Sequence, residues 1–142
     1  MPGYDVQQDL GDHEVEVVEN DLIESEPGKL VVKLVLRFKD GERGTKDLYP
    51  IASEKSAELT RKALRAVSFD VDTQDLGDLQ RNKTLLAGKR CIAVIQENEY
   101  NGKVTNRIAF LNAIKKPAGK SLIEEAMRRI RKAKKGGEDD AL

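Results

Sequence analysis

One cysteine, one histidine and no tryptophan stand among the 142 residues of this chain, and each scarcity removes a class of function. A single thiol excludes an internal disulfide. Cys91 sits in the run Cys91-Ile92-Ala93-Val94-Ile95, where it reads as a small buried hydrophobe. With His13 as the sole imidazole there is no Cys/His zinc cluster and no Ser–His nucleophile pair. Three Tyr and three Phe hold the aromatic share to 4%, so a function that needs flat side chains rests on few of them. No apolar run approaches the ~20 residues of a membrane-spanning helix, and no basic-then-apolar leader opens the chain. These absences predict a non-enzymatic protein of a reducing cytoplasm, with no catalytic residues, cofactor, metal or membrane partner.

What is abundant is charge, at 35% of residues, and it is segregated although the formal net charge is zero. Met1 to Pro27 carries nine acids and no Lys or Arg. Lys29 to Lys135 carries 25 bases against 13 acids, and Gly136 to Leu142 three acids and no base. A basic stretch set apart in this way is the electrostatic footprint of a polyanion binder.

The pattern of elements predicts one domain over residues 13–114, a flexible acidic arm over 1–12, and a basic helix with an acidic tail over 115–142. His13 to Glu24, with Val15, Val17, Val18, Leu22 and Ile23, is a first strand. From Lys29 to Lys39, Leu30, Val32, Leu34, Leu36 and Phe38 alternate onto one face, leaving Lys33, Arg37 and Lys39 on the other. Asp40-Gly41 signals a hairpin into a third strand from Arg43 to Ile51. Ser53 caps a helix that runs to about Val67, with Leu59 and Ala63 on its apolar face. A linking segment from Phe69 to Thr84 follows, with a short helical turn in it. The apolar run at Cys91–Ile95 predicts a fourth strand buried on both sides. Asn101-Gly102 is a second hairpin signal, and the returning strand places Val104, Ile108 and Phe110 on one face. Ser121-Leu-Ile-Glu124 is a capping box for an amphipathic basic helix, and Gly136 to Leu142 is a loose acidic end. Three strands, a helix and a two-stranded hairpin give the element order of the OB-fold, a mainly β (α+β), five-stranded barrel with a helix between its third and fourth strands.

Leu86-Ala87-Gly88-Lys89, then an apolar strand, then Glu99-Tyr100-Asn101-Gly102-Lys103 and Asn106-Arg107 resemble the last hairpin of phage single-stranded DNA-binding proteins. The preceding helix, with Leu59, Ala63 and Leu64, is similar too, so the resemblance covers roughly Lys29 to Asn112. In the third strand, where that family often has Trp or Phe, this chain has the Tyr of Thr45-Lys46-Asp47-Leu48-Tyr49. The resemblance implies an OB barrel that coats single strands in phage replication or recombination, in a host cytoplasm. It also implies an acidic C-terminal tip that recruits replication or recombination proteins, although here the tip is short and has no aromatic end.

Single-strand binding needs a cationic groove for phosphates and flat side chains for bases. The expected contacts are Lys33, Arg37, Lys39, Lys46, Lys103 and Arg107 for the backbone, with Tyr49 and Tyr100 for stacking. Phe38, Phe69 and Phe110 are assigned to the core. The tip Glu138-Asp139-Asp140 on its glycine hinge is expected to compete weakly with phosphate for the basic surface. Two other readings use the same residues: an RNA-binding OB domain, and a protein-interaction module such as a phage-encoded inhibitor or adaptor, with homo-oligomerisation left open. Two P-loop imitations, Gly77 to Thr84 and Ala118-Gly119-Lys120-Ser121, each lack one required glycine. Asp70, Asp72, Asp75 and Asp78 read as a solvated linker rather than a cation site.

Overall fold

Alternation drives the central strand: Val32, Leu34, Leu36 and Phe38 all enter the core, while Lys33, Val35 and Arg37 face outward. The pattern gives way at Leu30, which is exposed, while Val31 beside it is buried outside the core cluster. The computed structural model describes residues 4–115 and 117–141, with the side chains of the last helix described through residue 133. Its elements are β1 (Asp5–Val6), β2 (Gly11–Glu26), β3 (Lys29–Arg37), β4 (Arg43–Asp47), α1 (Glu54–Ala66), α2 (Asp78–Arg81), β5 (Arg90–Tyr100), β6 (Lys103–Asn112) and α3 (Lys120–Ala141).

The strands form one antiparallel sheet in the order β1-β6-β5-β2-β3-β4. β2, 16 residues long, is shared: its first half pairs with β5 and its second with β3. A bulge between Val17 and Glu19 bends the strand where it changes partners. The sheet thereby curls until β4 meets β1 and β6, and the barrel is nearly closed. Gly44 sits at this seam. A Cβ there would lie 2.8 Å from Val6 Cγ1 and 3.0 Å from Ile108 Cδ1, so only glycine lets the edges come together. α1 follows β4 in the chain and packs on β5 and β6, which completes an OB-like α+β barrel.

α1 begins as expected. The Ser53 side chain accepts from the Ser56 N–H, and Ser56 Oγ accepts from the Ser53 N–H, a reciprocal cap. Its buried residues are Thr60, Leu64 and Ala66, with Val67 buried at the C-cap as its spacing predicts; Thr60 takes the inward position expected of Leu59, one 100° step round the wheel. The link to β5 is a built piece of structure. Buried Asn20 of β2 donates to the carbonyls of Leu79 (2.9 Å) and Asn82 (2.8 Å) and accepts from the Leu86 N–H (2.9 Å). These bonds pin α2 to the barrel and seat Leu79 and Leu86 in the core. The four aspartates serve the link itself. Asp70 and Asp75 accept the N–H groups of Asp72 and Gly77, and Asp72, Asp75 and Asp78 pair with Arg61 or Arg81.

Five expectations are corrected. The arm expected to be flexible over 1–12 joins the barrel within its described residues: Asp5–Val6 pairs with Asn106–Arg107, Val6 is buried, and Glu42 accepts from the Gln7 N–H. The pull is the apolar seam beside Gly44, which Val6 fills. β5 is covered on one face only. Cys91, Ala93 and Ile95 are inside, whereas Ile92 and Val94 are half-exposed. Burial pushes the Cys91 thiol up to about 11, so it stays protonated and inert at neutral pH. Ser121 lies inside the first turn of α3, because the Ile123 N–H donates to the Gly119 carbonyl and the helix starts at Lys120. The backbone of Gly136–Ala141 continues this helix instead of ending loosely, while its side chains and Leu142 fall outside the described residues. The fifth correction, at Phe110, shapes the site. Among the described residues no helix is long and apolar enough to cross a membrane.

Candidate nucleic-acid interface

Two local irregularities build an aromatic, cationic groove between α1, the end of β4 and the end of β6. The first is a bulge in β6. Val94 opposes Phe110 and Ile95 opposes Ile108, so Ala109 is an extra residue in the ladder. Inward parity passes from Ile108 to Leu111, and Phe110, expected in the core, emerges 45% exposed. The second is the end of β4. Gly44, Lys46 and Leu48 have inward parity, but the barrel wall stops at Asp47, so the Lys46 side chain leaves the core through the groove mouth. There its Nζ lies 5.9 Å from the centre of the Tyr49 ring, a cation–π distance. Burial holds the Lys46 ammonium below its usual pKa. Tyr49 is 44% exposed. Leu59, Lys62 and Ala63 of α1 form the opposite wall of this cleft of about 230 Å³. That volume is below the range for drug-sized ligands and suits a single flat ring system.

The remaining expected contacts do not gather in one groove. Arg37 pairs with Glu16 of β2 at 2.5 Å. Lys33 lies between the register neighbours Asp21 and Asp47, with its Nζ 5.6 Å from the Tyr4 ring. Tyr4 in turn donates to Asp47 at 3.0 Å, and its phenol pKa is raised by burial and by that carboxylate. Asp21 also pairs with Lys83, which holds its carboxyl below the usual range. On the outer face of β3, Arg37 is thus engaged by β2, and Lys33 lies among acids of the strands on either side. Lys39 is exposed in the β3–β4 turn. Arg107 pairs with Asp5 at 2.8 Å, a contact that lowers the Asp5 pKa.

Tyr100 and Lys103 lie at the tip of the β5–β6 hairpin, where Asn101 (φ 52°) and Gly102 (φ 76°) form the left-handed pair that a two-residue turn requires. Tyr100 is 72% exposed. The bulge puts Phe110 on the same outer face of β6 as Arg107 and Lys103. Tip and groove thus mark the two ends of one strand, about 23 Å apart at ~3.3 Å per residue.

Phe110, Lys62 and Leu59 were missed as site residues. No residue signals the bulge, and a one-residue slip reverses every later side chain. For α1 the wheel was legible, but Leu59 was assigned to the wrong face because Thr60, a polar residue, takes the inward position. Its hydroxyl donates to the Tyr49 carbonyl at 3.0 Å, which satisfies the buried group and also positions Tyr49.

The other flank of α1 borders a second cleft, of about 340 Å³, floored by Ile51, Ala57, Leu64, Val71 and Leu76. Glu54 and Glu58 stand on its rim, where Arg61 is shared between Glu58 (3.7 Å) and Asp72 (2.9 Å). Among the described residues no three His, Cys, Asp or Glu side chains are gathered as a metal site would need. No protein-family model matches the chain, and no curated protein matches it.

Proposed function

We propose that the barrel binds single-stranded DNA, largely independently of sequence, with the groove of Tyr49, Phe110, Lys46 and Lys62 as its main base-holding site. One observation carries this reading: two half-exposed rings and two lysines share a cleft sized for one base. An exposed Phe beside a desolvated Lys costs the free protein, and a stacked base with its phosphate satisfies both. The strand then runs along the outer face of β6 past Arg107 to Lys103 and Tyr100. That length suits the ~4–16 nucleotides an OB barrel holds. On this path Asp5 competes with phosphate for Arg107. Coating of single strands in phage-type replication or recombination, implied by the resemblance of the last hairpin, belongs to the same proposal.

Fluorescence anisotropy with labelled oligo-dT, oligo-U and duplex DNA is the test. Contacts by Lys46, Lys62, Lys103 and Arg107 predict a log–log salt slope of about −3, at ~0.7 per neutralised phosphate. Oligo-dT is expected to bind more tightly than duplex, because stacking requires unpaired bases. A flat salt response, or equal affinity for duplex, would sink the proposal. Preference for oligo-U would reassign the groove to RNA.

A further inference from the structure

α3 is an amphipathic helix of 22 residues, about 33 Å long, and its described side chains, through residue 133, are exposed. Leu122, Ile123, Met127 and Ile130 run down one side of it, each between 43% and 68% exposed. By the 100° step of the helix, Arg129 borders this stripe on one side and Arg131 on the other. An apolar stripe of this kind in water lacks its partner.

The barrel offers two clefts, and charge chooses between them. The groove of Tyr49 and Phe110 is lined by Lys46 and Lys62, which repel a basic helix. The cleft on the other flank of α1 is floored by aliphatic side chains and rimmed by Glu54, Glu58 and Arg61, with Arg61 already shared between Glu58 and Asp72, so its charge is acidic on balance. An aliphatic stripe edged by arginines complements an aliphatic cleft edged by glutamates. The tether to α3, residues 113–119, leaves from Asn112, which lines the basic groove on the far flank of α1. Docking within one chain would have to carry the tether across α1. A neighbouring molecule has no such constraint.

We propose that the acidic cleft beside α1 receives α3 of a second copy of this chain. The contact is heterologous, helix of one copy to cleft of the next, so each copy still has a free helix or a free cleft, and the assembly stays open-ended. It involves no nucleic acid, and its test is independent of the groove's function.

Sedimentation velocity of the full chain without nucleic acid is the experiment. At low salt the average mass should rise with concentration to at least that of two copies, and salt should reverse the rise. Reversing the cleft (Glu54→Lys with Glu58→Lys) and, separately, the helix (Arg129→Glu with Arg131→Glu) should each weaken association by at least about tenfold. Mixing the two variants should restore it, since each then supplies the complement the other lacks. Restoration also shows that neither variant failed merely by unfolding. A wild-type chain that stays monomeric at every concentration would overturn the proposal. So would association that survives both reversals, or two variants that remain monomeric when mixed.

Discussion

The two flanks of α1 are made from neighbouring residues and have opposite character. Glu58 and Leu59 are adjacent in sequence, as are Arg61 and Lys62, yet the first of each pair faces the aliphatic, acidic cleft and the second the aromatic, basic groove. Between them Thr60, Leu64 and Val67 hold the helix to the barrel. The charge of α1 averaged along the sequence therefore predicts neither surface. A helix distributes its residues by angle, and two sites of opposite sign can share thirteen residues with one buried stripe as a divider.

The divider is the place to break both at once. Leu64→Ala removes a fully buried side chain from the stripe that seats α1 and should cost about 2–5 kcal/mol of stability, read as a lowered urea midpoint. If one flank survives this change with full function, the flanks are less dependent on the shared seat than the packing implies. A sharper cut separates them. Phe110→Ala and Tyr49→Ala should each weaken oligo-dT binding by about 1–3 kcal/mol with an unchanged melting curve. Glu58→Gln, across the helix, should leave that affinity alone. Equal effects from both flanks would dissolve the distinction.

Charge gives a finer test. Lys46→Met should reduce the magnitude of the salt slope by about 0.7. Burial lowers the Lys46 pKa in the free protein, while a bound phosphate would raise it again. Affinity should thus be full well below the lowered pKa and fall as the pH rises through it, with proton uptake on binding. Lys46→Met should flatten that alkaline limb, and a limb of unchanged steepness would take Lys46 out of the contact. The smallest effect is expected from Asp5→Asn. Releasing Arg107 should tighten oligo-dT binding a few-fold at low salt and not at high salt, because the pair is exposed and screened. Unchanged isotherms would mean that Arg107 lies off the path of the strand.

Much of the barrel was legible in the chain because it rests on local physics. Alternation named the inward face of β3, Asn101-Gly102 the β5–β6 hairpin, and Ser53 the start of α1, each set by residues within a few positions of one another. Segregated charge was equally plain. The acidic head, however, proved to be part of the fold: Asp5, Glu16 and Asp21 pair with Arg107, Arg37 and Lys83, partners 21 to 102 residues away in sequence. Which bases remain for a polyanion was decided by that pairing. The groove was decided the same way. Phe110 reaches the surface because one extra residue at Ala109 shifts the ladder, and Lys46 emerges because the wall of β4 ends beside it. Composition and periodicity determine which residues prefer the interior and which turns the chain makes. Register and edge closure depend on partners tens of residues away, and these alone settled which side chains share a surface.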